Sequence, residues 1–169
     1  MLCLIAKLDE TATGKLLAVR NAALSAAEAA KPLYGHLTLA AYVGDDPARF
    51  VRSCRELLGS VPPFGIEYDR IEVLEETAII VAAPARSERL NTLHRSVAGA
   101  FGASLDRWTQ EDRWHPHTTL FHGPREDLPG LAAKMAAAFA PFSASVRRIE
   151  FSRVLPDGFE IVDHVELEG

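Results

Sequence analysis

Two histidine–threonine pairs carry the chemistry that this sequence offers: His36-Leu37-Thr38-Leu39 and His117-Thr118-Thr119-Leu120. In an extended strand alternate residues share a face, so each His stands beside its Thr while the residue between points away. An imidazole moves a proton near neutral pH, and a hydroxyl donates to an anionic oxygen. The pair therefore suits an anionic, phosphate-bearing ligand. One such pair is an ordinary accident in a chain with six histidines. Two, each ending in Leu and each in an apolar strand-like run, are not. Phe121 continues the His117–Thr119 face by the same alternation, and Pro116 fits a strand start rather than a helix.

The elements that must position these residues are legible around them. Leu2 to Leu8 reads as a buried strand, and the Ala-, Leu- and Glu-rich Thr13 to Ala30 as a helix after N-cap candidates Asp9 and Thr11, stopped by Lys31-Pro32. Leu33 to Val43 is the first motif strand. Tyr34, His36, Thr38, Ala40 and Tyr42 share one face, and Gly35, Leu37, Leu39, Ala41 and Val43 the apolar, core-directed other. A helix follows Asp45-Asp46-Pro47 to about Leu58, then strands at Phe64–Leu74 and Thr77–Ala83, and a helix over Ser87–Phe101. Ala103 to Arg113 is a polar, irregular loop of the kind that covers a site. The second motif strand runs to about Gly123, followed by a helix over Leu128–Phe139 and a closing hairpin of Ser143–Leu155 and Phe159–Leu167.

The order strand, helix, His-strand, helix, strand occurs twice. Phe64 leads to Arg70-Ile71-Glu72 as Phe142 leads to Arg148-Ile149-Glu150, with the same Phe-to-Ile spacing (71 − 64 and 149 − 142). Too long in period for a solenoid, this duplication points to a pseudo-two-fold that carries His36 and His117 to facing positions. The expected fold is α+β: two pseudo-symmetric lobes of mostly antiparallel sheet, helices outside, and a central cleft holding both motifs. The chain is read as one bilobal domain over residues 1–169, with repeats of about 1–75 and 76–169.

Composition narrows the partners. A net charge of −5 gives no basic surface for a long polyanion, but leaves room for a small phosphorylated ligand held by local groups. Cys3 and Cys54 are too few for a disulfide framework, which fits a reduced, cytosolic protein. No stretch reaches the length of a membrane span, and Leu2–Leu8 is too short for a signal-peptide core.

Three other residue sets compete for a role. His115, His117 and His122 resemble a metal-ligand set, against which stand the parity of His122 and the absence of a carboxylate or thiol in the strand. Tyr34, Trp114 and Phe121 are candidates to stack on a base, with core packing as the plainer alternative. Arg125, just past the second motif, is a candidate phosphate ligand, as are Arg107 and Arg113 in the loop. His94 and His164 have no partner pattern and read as ordinary surface or edge residues.

With motifs separated by 81 residues (117 − 36), and Pro116 ahead of the second, the chain resembles the 2H phosphoesterase superfamily. That group includes bacterial 2'-5' RNA ligase-like proteins and RNA 2',3'-cyclic phosphodiesterases, and its signature is two His-x-Thr-x motifs roughly eighty residues apart. The resemblance implies His36, Thr38, His117 and Thr119 as catalytic residues, with no metal and no cofactor. It implies cleavage of a 2',3'-cyclic phosphate with His117 as base and His36 as acid, or 2'-5' joining of RNA ends in reverse. No basic residue follows the first motif in Ala40–Asp45, which favours a small nucleotide or an RNA end over long RNA. A monomer is expected. The alternative is a module of the same fold that binds a nucleotide or cyclic phosphate without turning it over.

Overall fold

Strand β1 (Leu2–Leu8) is buried on both faces: Leu2, Leu4, Ala6 and Leu8 enter the main core, while Cys3 and Ile5 join Ala41 in a small cluster on the opposite side. The computed structural model describes residues 1–123 and 126–168. Asp9 ends β1 and caps helix α1 (Glu10–Asn21), accepting from the Ala12 amide at 2.8 Å. Its other carboxylate oxygen accepts from the Ser145 amide at 2.6 Å, which pins the helix to a distant strand. Burial pushes this carboxyl up, but the amide donors outweigh it and hold it below its ordinary value.

The single helix expected over Thr13–Ala30 breaks. Helix α1 ends at Asn21, and a four-residue helix α2 (Ala26–Ala29) restarts with a Ser25–Glu28 capping box. The cause is tertiary: the buried Arg20 guanidinium donates to the carbonyls of Ala29 at 3.1 Å and Lys31 at 2.5 Å, folding the segment back. Alanine-rich composition favours helix throughout and carries no sign of that bond.

The remaining elements fall close to their expected bounds. They are β2 (His36–Tyr42), α3 (Pro47–Leu58), β3 (Phe64–Leu74), β4 (Ile79–Pro84), α4 (Glu88–Phe101), β5 (Thr118–His122), α5 (Leu128–Ala138), β6 (Phe142–Leu155) and β7 (Gly158–Glu166). Side chains of Asp46, Ser87 and Asp127 cap α3, α4 and α5. The loop between α4 and β5 holds two 3-10 turns, Gly102–Ser104 and Arg107–Thr109.

The strands form one antiparallel sheet in the order β2-β1-β6-β3-β4-β5, with β7 paired to β6. The two halves of the repeat meet at its centre. There Phe64 pairs with Val146, Ile66 with Ala144 and Tyr68 with Phe142. Phe64 and Phe142 are repeat counterparts, and so are Ile66 and Ala144 (142 − 64 = 144 − 66 = 78). Ile66 therefore pairs with its own counterpart, and a local two-fold passes between the two. The motif strands β2 and β5 hang symmetrically at the outer positions. The sheet curls enough for them to touch: the Thr118 hydroxyl donates to the His36 carbonyl at 2.7 Å. Helices pack on one face over the main core, which takes the motif leucines Leu37, Leu39 and Leu120 but not the motif histidines.

Candidate active site

Each motif strand carries a β-bulge at its fourth motif residue. In the β1–β2 pairing Thr38 is opposite Ile5 and Ala40 opposite Leu4, so Leu39 is the extra residue. In the β4–β5 pairing Thr119 is opposite Val81 and Phe121 opposite Ile80, so Leu120 is extra. A bulge adds one residue and reverses the alternation beyond it. Up to the bulge the expected faces hold, with Leu37 and Leu39 in the core and His36 and Thr38 on the cleft side. Beyond it they swap: Ala40 and Tyr42 enter the core, and Ala41 turns to the cleft. Phe121, expected beside His117 and Thr119, shares the side of the core residue Ile80 and packs against the main core. His122, expected to have the wrong parity for the cleft, pairs with the cavity-lining Ile79 and stands exposed there.

The two catalytic candidates are held in the same way. His36 Nδ1 lies 2.8 Å from the Tyr34 carbonyl, and His117 Nδ1 lies 2.7 Å from the His115 carbonyl. A carbonyl only accepts, so each Nδ1 carries its hydrogen and each neutral ring presents a bare Nε2. Burial lowers the pKa of both imidazoles; the carbonyl bonds oppose this, and neighbouring charge from Lys7 at His36, and from His115 and His36 at His117, lowers it further.

A second symmetric pair supports the first. The Tyr34 hydroxyl donates to Glu150 at 2.5 Å, and His115 Nε2 bonds Glu72 at 2.6 Å. Tyr34 and His115 each stand two residues ahead of a motif histidine, and each takes its carboxylate from the opposite half of the chain. Those carboxylates close the repeated Arg-Ile-Glu triplets, so the duplication signals them in the sequence. The Tyr34 ring, a stacking candidate, already has the Lys7 ammonium 3.8 Å from its centroid and Phe159 edge-on at 5.2 Å.

A cavity of about 990 Å³ opens beside the motifs, with Thr38, Trp114, His115 and His117 in its lining. Trp114 donates its indole N–H to the Thr38 carbonyl at 2.9 Å and stacks on His94, centroids 4.0 Å apart. His94 is not the surface or edge residue expected. It is 2% exposed, its Nδ1 lies 2.8 Å from the Leu39 carbonyl at the bulge, and its buried Nε2 has no partner among the described residues. Cys3 also lines the cavity, but burial pushes its thiol up to about 11, which leaves no thiolate nucleophile at neutral pH. Trp108 and Phe159 are lining or neighbouring aromatics that the sequence pattern does not single out. Arg125 lies outside the described residues.

The family model described as the 2'-5' RNA ligase superfamily matches residues 12–157 of the chain. No curated protein matches it in sequence. Among solved structures, one described as a phosphoesterase superposes with a TM-score of 0.68 at 18% identity, covering 99% of this chain and 98% of that one. E. coli LigT complexed with 3'-AMP gives 0.67 at 19% identity with the same coverage. The Thermus thermophilus protein TT0787 gives 0.66 at 15%, again covering 99% and 98%. These likenesses show a shared fold. Among the described residues no helix is long and apolar enough to cross a membrane.

Proposed function

Because this chain belongs to the 2'-5' RNA ligase superfamily, we propose that it is a phosphodiesterase of the 2H type, opening 2',3'-cyclic phosphates on nucleotides or RNA ends without a metal. The observation that carries this reading is the matched pair of imidazoles. Each is clamped through Nδ1 to the carbonyl two residues earlier, leaving Nε2 for proton transfer, on strands joined directly by Thr118 and His36.

In the forward direction His117 Nε2 takes a proton from water as its oxygen bonds to phosphorus. The bond from phosphorus to one ribose oxygen breaks, and His36, protonated at Nε2, returns a proton to that oxygen. Lowered pKa values favour the base role at neutral pH. The acid role follows when the anionic phosphate enters, since a negative charge between two imidazoles raises the pKa of the one it touches. The Thr38 and Thr119 hydroxyls donate to the non-bridging oxygens. With a 5'-hydroxyl in place of water and cleavage at O3', the same proton transfers give a 2'-5' linkage. E. coli LigT has been crystallised with phosphate, ATP, NADP+ and 3'-AMP, which fits a small nucleotide or an RNA end as the ligand here. Cytoplasmic RNA ends are the natural source of such a substrate.

The test is incubation with 2',3'-cyclic AMP in the presence of a chelator. Release of adenosine monophosphate by the native chain, and none by His117→Ala, is expected. Tight binding without turnover would move the chain to the non-catalytic module, and chelator-sensitive turnover would remove the metal-free mechanism.

A further inference from the structure

The cavity extends well past the motif residues, into the loop between α4 and β5. That loop is built onto the end of β2: the Asp106 amide donates to the Ala41 carbonyl at 2.7 Å, and the Ala41 amide donates to Thr109 Oγ1 at 3.0 Å. Asp106 also accepts from the Trp108 amide at 3.0 Å, and the Trp114 amide closes the loop on the Gln110 carbonyl at 2.9 Å. Trp108 is therefore carried on a backbone already ordered before any ligand arrives, which removes an entropic cost of binding. Its half-buried ring lines the cavity. The Arg107 guanidinium lies 4.4 Å from the ring centroid and is not among the lining residues, whereas Arg113, 6.0 Å away, is.

We propose that Trp108 is the stacking platform for the substrate's nucleobase, with Arg113 at its margin. This rests on the phosphodiesterase reading for the position of the phosphate. Three features support it. Thr38 is opposite Ile5 and Ala41, where the loop attaches, is opposite Cys3, so with the bulge the Trp108 loop stands ~7 Å along β2 from Thr38, allowing for strand rise. That is the reach of a nucleoside with its phosphate held at the motifs. The lining beside Trp108 is acidic: Asp106 and Asp112 belong to the same loop, while His117 and Thr38 bring the motifs to the same cavity. Carboxylates repel a second phosphate but accept from the exocyclic amine of a base such as adenine. An indole backed by a guanidinium offers a flat, polarisable surface, and base-on-aromatic stacking tolerates any base.

The experiment measures binding and turnover side by side. Calorimetry with 3'-AMP and with inorganic phosphate is run on the native chain, Trp108→Ala and Trp108→Phe, together with kinetics on 2',3'-cyclic AMP. Trp108→Ala is expected to weaken 3'-AMP binding and raise KM about tenfold, the scale of one lost stack. kcat and phosphate affinity stay unchanged, and Trp108→Phe restores most of the loss. If cyclic AMP is not turned over but 3'-AMP still binds in a Trp108-dependent way, the subsite stands and the phosphodiesterase reading falls. If turnover is normal and Trp108→Ala leaves KM and 3'-AMP affinity within about twofold, the subsite falls and the reaction stands. Absence of both binding and turnover in the native chain overturns both.

Discussion

The Thr118 hydroxyl donates to the His36 carbonyl at 2.7 Å, joining the middle of one motif to the start of the other. The Tyr68 hydroxyl lies 2.7 Å from the Thr118 hydroxyl oxygen. Because the Thr118 proton is committed to a carbonyl, the Tyr68 phenol is the donor in that second bond, and a chain of two hydrogen bonds ties β3, β5 and β2 together. Tyr68 and Thr118 are both buried, so neither has water as a substitute partner.

Thr118→Val should remove both bonds while keeping shape. The buried Tyr68 hydroxyl and His36 carbonyl lose their partner, at a cost of about 1–3 kcal/mol. Denaturant unfolding reads this directly, and Thr118→Ser should recover most of it. Turnover of 2',3'-cyclic AMP should fall in the Val variant even where folding persists, because the spacing of the histidines depends on this link.

His36→Ala and His117→Ala should each lower kcat by about 100-fold or more, the usual worth of a positioned acid or base. The kcat/KM profile should be bell-shaped. Burial depresses the imidazole that must be neutral, so the acid limb should fall below the ordinary histidine value of about 6.5. An acid limb above that value in stopped-assay rates would contradict the buried-base geometry.

Stability should decline on mild acidification. His36, His94 and His117 all have pKa values lowered first by burial. The unfolded chain therefore binds more protons than the folded one once the pH falls below about 6.5. Stability is full above that pH and is lost progressively towards the depressed folded values, with a proton uptake approaching three. Asp9 and Glu72, whose pKa values are held down, add a further loss that begins only as the pH falls to the ordinary carboxylate range. Denaturation midpoints across pH, repeated on His94→Gln, should show the uptake reduced by one.

Gly35→Ala should destabilise the entrance to the first motif. A Cβ at Gly35 would collide with Thr13 Oγ1, and that hydroxyl is already held by its bond to the Asp9 carbonyl at 2.9 Å. Overpacking of this kind costs about 1–3 kcal/mol. Thr13→Ala in the same chain should restore much of the loss, which thermal unfolding would show.

Most of the strands and helices are legible from alternation, apolar spacing and capping residues. The helix expected over Thr13–Ala30 is too long because a guanidinium bond from Arg20 to Ala29 and Lys31 has no local signature. His94 looks ordinary in sequence for a similar reason. Its environment is made by Leu39 and Trp114, which are distant in the chain, and a lone histidine on a helix says nothing of them. Trp108 stays hidden because loop composition does not tell which ring faces a cavity.

The sequence alone determined the doubled His-x-Thr unit, its 81-residue separation, the repeated Arg-Ile-Glu triplets and the pairing of strands and helices around them. Those are properties of residue order and periodicity, and duplication makes them redundant. Tertiary structure alone decided which side chains share the cleft beyond Leu39 and Leu120. A bulge forms where a strand must match the register of a twisted neighbour, so the swap that turns Tyr42 and Phe121 toward the main core and Ala41 and His122 to the opposite side depends on the partner strand, not on the motif.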